Sequence, residues 1–435
     1  MTPVIVIVGR PNVGKSTLFN RLTRSRDALV DDHPGVTRDR LYASITYDGV
    51  SLILVDTGGF DDMDADPLAK KVREQVATAI EEADGVICMV DGRQGLIPGD
   101  EEIIQVLRRR QKKFFLAVNK IDGPEHDHRA DEFYRFGVEA VYPISAAHGY
   151  GVRALMEDVL THLPRAESET EDEGLIRVAV LGRPNVGKSS LINRILGSER
   201  LLVSEMPGTT RDAVDTSFRY RDKQYVLIDT AGIRKKAKVR EKIEKFSMIK
   251  ALKSLSRCHV AAILVDASQG VLEQDARICG YAFEQGRGMV LAVNKWDLIK
   301  GDAQKRRELN SSIERKLQFI PFVPRLNLSA LTGERVIKLF DKIDLVYEQF
   351  TRTISTAGLN KALEKITRKH PPPRTGRRSL KVYYATQTRT RPPTFMLFVN
   401  QPDMVHFSYE RFLINQLREH LGLDSTPIKL RFRKK

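Results

Sequence analysis

The chain has 435 residues, 41% hydrophobic and 29% charged, with 71 Lys+Arg against 56 Asp+Glu and a net charge of +15. That balance suits a globular protein with real cores, and the length suits about three domains. No apolar run is long enough to span a bilayer, so no membrane partner is expected, and no signal-peptide pattern opens the sequence. The three cysteines, Cys88, Cys258 and Cys279, show no metal-ligand spacing. So sparse and odd a set points to a reducing cytoplasm, and the apolar setting of Cys88 to a buried thiol.

The charge is unevenly spread. Residues 1–165 carry net −5, the AESETEDE stretch at 166–173 a further −5, residues 174–349 net +12 and residues 350–435 net +13. An acidic front and a basic rear direct the rear toward nucleic acid, with a basic surface serving solubility as the bland alternative.

In chain order, an apolar strand (VIVIV, Val4 to Val8) leads into Gly9-Arg10-Pro11-Asn12-Val13-Gly14-Lys15-Ser16-Thr17. This fits G-x-x-x-x-G-K-[ST], a phosphate-binding loop. Gly14 lets backbone N–H groups curl round α- and β-phosphates, Lys15 reaches the β- and γ-phosphates, and Ser16 offers a hydroxyl to Mg²⁺ as it opens a helix. A polar loop follows, in which Thr37 takes the place of a first-switch threonine that closes on Mg²⁺ and the γ-phosphate. Strands LYASITY and SLILVD come next. The second ends in Asp56-Thr57-Gly58-Gly59-Phe60, where the Asp56 carboxylate would hold Mg²⁺ through water and the glycines admit the γ-phosphate. Strand GVICMVD, a helix at 100–109 and strand FFLAV then lead to Asn119-Lys120-Ile121-Asp122. In this N-K-x-D element the Asn119 amide suits guanine's Hoogsteen edge. Asp122 accepts from N1–H and the 2-amino group, which adenine cannot supply, so the motif selects GTP over ATP. Strand VYPI presents Ser145 and Ala146, whose backbone N–H can meet guanine O6.

The set repeats. Gly182-Arg183-Pro184-Asn185-Val186-Gly187-Lys188-Ser189-Ser190 follows strand RVAVL, with Lys188 173 residues beyond Lys15. Thr210 and Asp229-Thr230-Ala231-Gly232-Ile233 return at the same offset as Thr37 and Asp56. Asn294-Lys295-Trp296-Asp297 returns 175 residues after the first N-K-x-D, and Ser329-Ala330 184 after Ser145, because of an insertion around 300–317. Two complete nucleotide sites are expected, with Lys15, Thr37, Lys188 and Thr210 as the catalytic and switch residues. Ser16, Thr37, Asp56, Ser189, Thr210 and Asp229 are the expected Mg²⁺ ligands. Alternating strands and helices imply an α/β fold: two tandem domains, each a mainly parallel sheet with helices on both faces.

Tandem GRPNVGKS loops with DTGG then DTAG, and NKID then NKWD, make the chain resemble the Der (EngA) family of double GTPases in bacterial ribosome assembly, over essentially its whole length. The resemblance implies two GTPase domains and a KH-like domain, hydrolysis of GTP to GDP and phosphate, and the large ribosomal subunit or its precursor, with its rRNA, as partner. A monomer is expected. Phe60 and Ile233 stand where Ras-like proteins carry a water-orienting Gln, so another device must serve. Asn12 and Asn185 resemble asparagines that hold K⁺ in related GTPases, where the cation adds charge along the phosphates. Their alternative reading is a turn residue after proline.

The expected boundaries are 1–165 for the first GTPase domain, 166–174 for a mobile acidic linker, 175–349 for the second GTPase domain and 350–435 for a small basic α+β KH-like domain joined directly to it. The tail reads helix, basic loop, two strands, helix, strand. No G-x-x-G follows Gly333, so the backbone clamp of an RNA-reading KH module is missing. Arg374, Arg377, Arg378, Arg389 and Arg391 are the candidate RNA-phosphate contacts. Tyr383, Phe395 and Phe398 can stack bases or fill a core. A protein-docking tail with nucleotide as a structural ligand is the competing reading.

Overall fold

The computed structural model describes residues 2–24, 42–58, 76–163, 174–198, 202–203, 215–230, 248–372, 374–375 and 378–435. Two compact units divide the chain, the first holding most of 1–171 with 247–256, the second most of 172–435.

In the first unit, strands β1 (Val4–Gly9), β2 (Tyr42–Tyr47), β3 (Val50–Asp56), β4 (Gly85–Asp91), β5 (Phe114–Asn119) and β6 (Val141–Pro143) form one sheet in the order β2-β3-β1-β4-β5-β6. Only β2 runs antiparallel. Val4 to Val8 are at most 2% exposed, as expected of a parallel strand covered on both faces, which reads as a continuous apolar run. The helices Lys15–Arg24 and Val152–His162 supply Leu18, Leu22, Leu155, Met156 and Val159 to the same core. The strand order reverses at β1, so the crevice beyond its carboxyl end is the place where such a sheet takes a ligand.

The second unit repeats this frame. Its strands are β7 (Leu175–Gly182), β8 (Leu202–Val203), β9 (Thr216–Tyr220), β10 (Lys223–Ile228), β11 (Val260–Asp266), β12 (Gly288–Asn294) and β13 (Arg325–Asn327), in the order β13-β12-β11-β7-β10-β9-β8. The insertion expected around 300–317 is the helix Ala303–Lys316, capped by the Asp302 carboxylate, which accepts from the Gln304 and Lys305 amides. The corresponding stretch of the first unit is a 3₁₀ segment, Pro124–Phe136.

The tail has its own core. Helices Thr356–Lys369 and Phe407–Leu421 cover one face of a three-stranded sheet, β16 (Val382–Arg389), β17 (Thr394–Val399) and β18 (Lys429–Lys434), with β17 in the centre. This is the expected α-β-β-α-β order. The basic loop differs from expectation: it carries a short antiparallel ladder, β14 (Arg374–Thr375) with β15 (Arg378–Ser379). The tail is tied closely to the second sheet domain. The buried Gln349 side chain accepts from the Ser425 amide (2.7 Å), Arg352 donates to the Gly422 carbonyl (3.0 Å), and the Arg418 guanidinium lies 4.0 Å from the Phe322 ring centroid. Burial of Arg418 lowers its pKa to about 10.

All three cysteines are buried and free, and burial pushes Cys88 up to about 12 and Cys258 up to about 11. Among the described residues no helix is long and apolar enough to cross a membrane.

His259, immediately before β11, accepts a hydrogen bond at Nδ1 from the Arg177 amide (3.2 Å), so the ring is held neutral. Burial, helped by Arg391, Arg177 and Arg287, lowers its pKa from 6.5 to about 4. The folded state therefore binds fewer protons than the unfolded state between those values. The stabilisation is fully present above pH 6.5 and is lost as pH falls toward 4, by about 3 kcal/mol. In urea titrations, the second unit should weaken between pH 7 and pH 4.5, and His259→Gln should remove much of that slope. An identical slope in the variant would refute the assignment.

Candidate nucleotide site

Each phosphate loop is built from a strand that stops at a glycine and a helix that starts at a lysine. In the first unit the chain leaves β1 at Gly9, passes through Asn12 in the left-handed region (φ 64°) and enters the helix at Lys15. Asn185 repeats this at φ 63°. Asn is among the few side chains that tolerate this conformation, which supports the turn reading of both residues. Lys15 is 4% exposed, and its Nζ donates to the carbonyls of Gly9 (2.8 Å) and Arg10 (2.7 Å). Lys188 donates to Gly182 (3.0 Å) and Arg183 (2.7 Å). Both ammonium groups are thus folded back over their own loops, where a phosphate would meet them. Ser16, Thr17, Ser189 and Ser190 sit in the first helical turns, and Val13 and Val186 are buried beneath the loops.

Asn119 and Asn294 lock these loops in place. Asn119 Nδ2 donates to the Val13 carbonyl (2.7 Å), and its Oδ1 accepts from the Ala146 amide (2.8 Å). Asn294 does the same with Val186 (2.7 Å) and Ala330 (2.9 Å). The sequence alone placed these amides at the base edge. The structure uses them first to join three loops, leaving one Nδ2 hydrogen for a ligand. The need for glycine in the loop follows: a Cβ on Gly14 or Gly187 would lie 2.3 Å from the Asn119 or Asn294 Nδ2, and both glycines have φ near 100°.

The carboxylates expected to read the base differ between copies. Asp122 accepts from Ser145 Oγ (2.9 Å) and from Arg93 (2.6 Å), which together hold its pKa below the usual range. Ser268 takes the place of Arg93 in the second copy and bonds Asp266 instead. Asp297 Oδ1 is left buried with no hydrogen-bond partner. A buried carboxylate oxygen without a donor is costly, and guanine's N1–H or 2-amino group would satisfy it. Ser329 Oγ accepts from the Thr332 amide. Ile121 is fully buried and serves packing, while Trp296 is fixed through its amide to the Leu328 carbonyl (3.1 Å).

The copies also diverge at Asp56 and Asp229, the aspartates expected to hold a metal. Asp56, 2% exposed, ends β3 and accepts from the Gly58 amide (2.8 Å). A Cβ on Gly58 would lie 2.8 Å from Ser16 Oγ and 3.0 Å from Asp56 Oδ1, so hydroxyl and carboxylate converge on one small space. Asp229 instead has φ 58°, and its amide is held by Asp215 (3.0 Å), itself paired with Arg257 (2.5 Å). The Thr57 hydroxyl bonds the Ile7 carbonyl (2.8 Å), whereas Thr230 pairs with Thr216 (2.6 Å). Thr37, Gly59, Phe60, Thr210, Ala231, Gly232, Ile233 and Arg377 lie outside the described residues. Of the tail arginines, Arg374 and Arg378 fall on the β14–β15 ladder and Arg389 ends β16, all distant in sequence from the phosphate loops.

Sequence reading missed a second set of supports. Arg10 pairs with the buried Asp100 (2.7 Å) and Arg183 with the buried Asp275 (2.9 Å), fixing the first residue of each loop turn. Lys120 pairs with Asp91 (2.5 Å) and Lys295 with Asp266 (2.7 Å). Arg21 and Arg194 donate to the carbonyls of Ala146 and Ala330. The signal was present: Asp91 and Asp100 recur as Asp266 and Asp275 at the same 175-residue offset as the N-K-x-D elements.

A family model described as "50S ribosome-binding GTPase" matches residues 4–120 and again 177–295, and one described as "KH-domain-like of EngA bacterial GTPase enzymes, C-terminal" matches 353–433. Curated relatives named GTPase Der match over nearly the full length: that of Syntrophobacter fumaroxidans is 49% identical over 99% of this chain and 98% of its own. The chain belongs to the Der (EngA) family of GTPases. The Geotalea daltonii relative is also 49% identical, over 100% of this chain and 98% of its own, and that of Caldanaerobacter subterraneus subsp. tengcongensis 46%, over 99% and 98%. This Der-family chain is accordingly a GTP hydrolase with two GTPase domains and a KH-like C-terminal domain.

Gly14→Ala should weaken binding of a fluorescent GDP at the first site by about 100-fold or more, through strain and the clash with Asn119, and leave the second site intact. Gly187→Ala should do the converse. Two sites of unchanged affinity in either variant would contradict the clamp.

Proposed function

We propose that the chain hydrolyses GTP to GDP and phosphate at two Mg²⁺-dependent sites and acts as a nucleotide-controlled factor in maturation of the large ribosomal subunit. The observation that carries this reading is the twice-built clamp, in which a buried Asn joins the phosphate loop to the Ser-Ala loop. The unpartnered Asp297 oxygen favours guanine over adenine.

Convergence of Ser16 Oγ and Asp56 Oδ1 fits Mg²⁺, with Ser189 and Asp229 as the corresponding pair and Thr37 and Thr210 as switch ligands. Mg²⁺ bound there would neutralise charge on the β- and γ-phosphoryl oxygens. Lys15 and Lys188 would turn from their loop carbonyls to the same oxygens, exchanging a neutral acceptor for an anionic one. K⁺ beside Asn12 and Asn185 would add a further positive charge. Domain limits of 1–165, 175–349 and 350–435, a cytoplasmic setting and a monomeric chain complete the reading. The family's description as ribosome-binding and the net +13 of residues 350–435 support a partnership with the large subunit and its rRNA.

Co-sedimentation with large-subunit particles should differ between GDP and a non-hydrolysable GTP analogue, and Lys15→Ala should blunt that difference. Indifference to nucleotide at low and moderate salt would sink the assembly role. Asp122→Asn and Asp297→Asn should each move one site's preference from guanine to xanthine, whose 2-oxo group suits the new amide. Exchange of Na⁺ for K⁺ should raise turnover, and Asn12→Ala should abolish the first site's share of the gain. A rate blind to the cation would remove K⁺ from the mechanism.

A further inference from the structure

The tail sheet buries one face only. Ala385, Phe395, Leu397, Val399 and Leu430 belong to the core beneath the helices. Phe395, a candidate base-stacking residue from sequence, is therefore a core residue. Strand alternation sends the intervening side chains to the opposite face. There the register sets Tyr384, Phe398 and Arg433 side by side in one row, and Thr386, Met396 and Arg431 in the next.

The Tyr384 and Phe398 rings stack with centroids 4.4 Å apart and planes 15° from parallel, yet Tyr384 remains 38% exposed. A β-bulge adds Tyr383. Val382 opposes Val399 and Tyr384 opposes Phe398, so Tyr383 is the unpaired extra residue, 47% exposed. Lys435 Nζ lies 4.7 Å from the Tyr383 ring centroid. Arg431, Arg433 and Lys435 alternate along the edge strand. Both arginines are exposed, and among the described residues neither has an acidic partner. The result is a row of aromatic rings beside a row of cations, on a sheet face that no helix of the tail covers.

This chemistry fits a chain of bases joined by phosphates. Rings offer faces to any base, and the cations offer charge to the backbone running beside it. A duplex keeps its bases paired and cannot use the rings. We propose that this open sheet face binds single-stranded RNA, with Tyr383 and Tyr384 stacking bases and Arg431, Arg433 and Lys435 meeting the phosphates. It takes the place of the G-x-x-G backbone clamp that the tail lacks. The choice of RNA rests on the proposed ribosomal role.

The test is binding of the full chain to a labelled oligouridylate, with a labelled RNA duplex for comparison. Tyr384→Ala should weaken oligouridylate binding by roughly 5- to 100-fold and leave duplex binding unchanged, while Tyr384→Trp keeps both. Arg431→Glu with Arg433→Glu should weaken it by at least about tenfold and flatten its salt dependence. GTP turnover and the thermal unfolding of the tail should stay at the wild-type level in every variant, which verifies folding. Loss with the Glu pair but not with Tyr384→Ala would leave a mere phosphate-attracting surface and overturn the stacking. Wild-type protein that ignores oligouridylate but still co-sediments with large-subunit particles would refute this face and spare the ribosomal reading.

Discussion

A single buried carboxamide on each sheet holds the loops of the candidate nucleotide site together. Asn119 ends β5 and Asn294 ends β12, both nearly inaccessible to water. Each spends one donor on a phosphate-loop carbonyl and its acceptor on the amide of the Ser-Ala loop. These bonds lie in a low-dielectric interior, where an unmet partner is expensive, so displacing one loop leaves a buried group unmet in another. The phosphate-loop glycine and the close approach of Asn are consequences of that one constraint.

Around this shared frame the two copies differ where ligand selectivity and switching would be decided. Asp122 is held by a serine and an arginine, while Asp297 keeps a buried oxygen unpaired. Asp56 closes on its own Gly58 amide, while Asp229 is turned into the left-handed region and held by the Asp215–Arg257 pair. A frame fixed by buried hydrogen bonds tolerates such divergence at its rim. Of these charges the Asp122–Arg93 pair is the solvated one, and such a pair contributes little to stability, so it can change without disturbing the core.

The KH-like tail continues the second unit through side chains that cap one element with another. Gln349 and Arg352, at the end of the helix Lys338–Thr351, satisfy the Ser425 amide and the Gly422 carbonyl, and Arg418 is desolvated against Phe322. Buried polar groups of this kind are costly to separate, which couples the tail to the second sheet.

Motif and period carried most of the architecture. The two phosphate loops, the paired N-K-x-D elements and the apolar strands were legible because each is local: glycine, lysine and alternation act within a few residues. The tail's α-β-β-α-β order was readable for the same reason. Tertiary structure alone decided which partners meet. The clamp role of Asn119 spans more than a hundred residues to Val13, and the Arg10–Asp100 pair ninety. The burial of Phe395 and the exposure of Tyr384 depended on which face of the tail sheet the two helices cover. Such contacts are set by sheet order and burial, and a linear reading of residue types does not contain the distance between them.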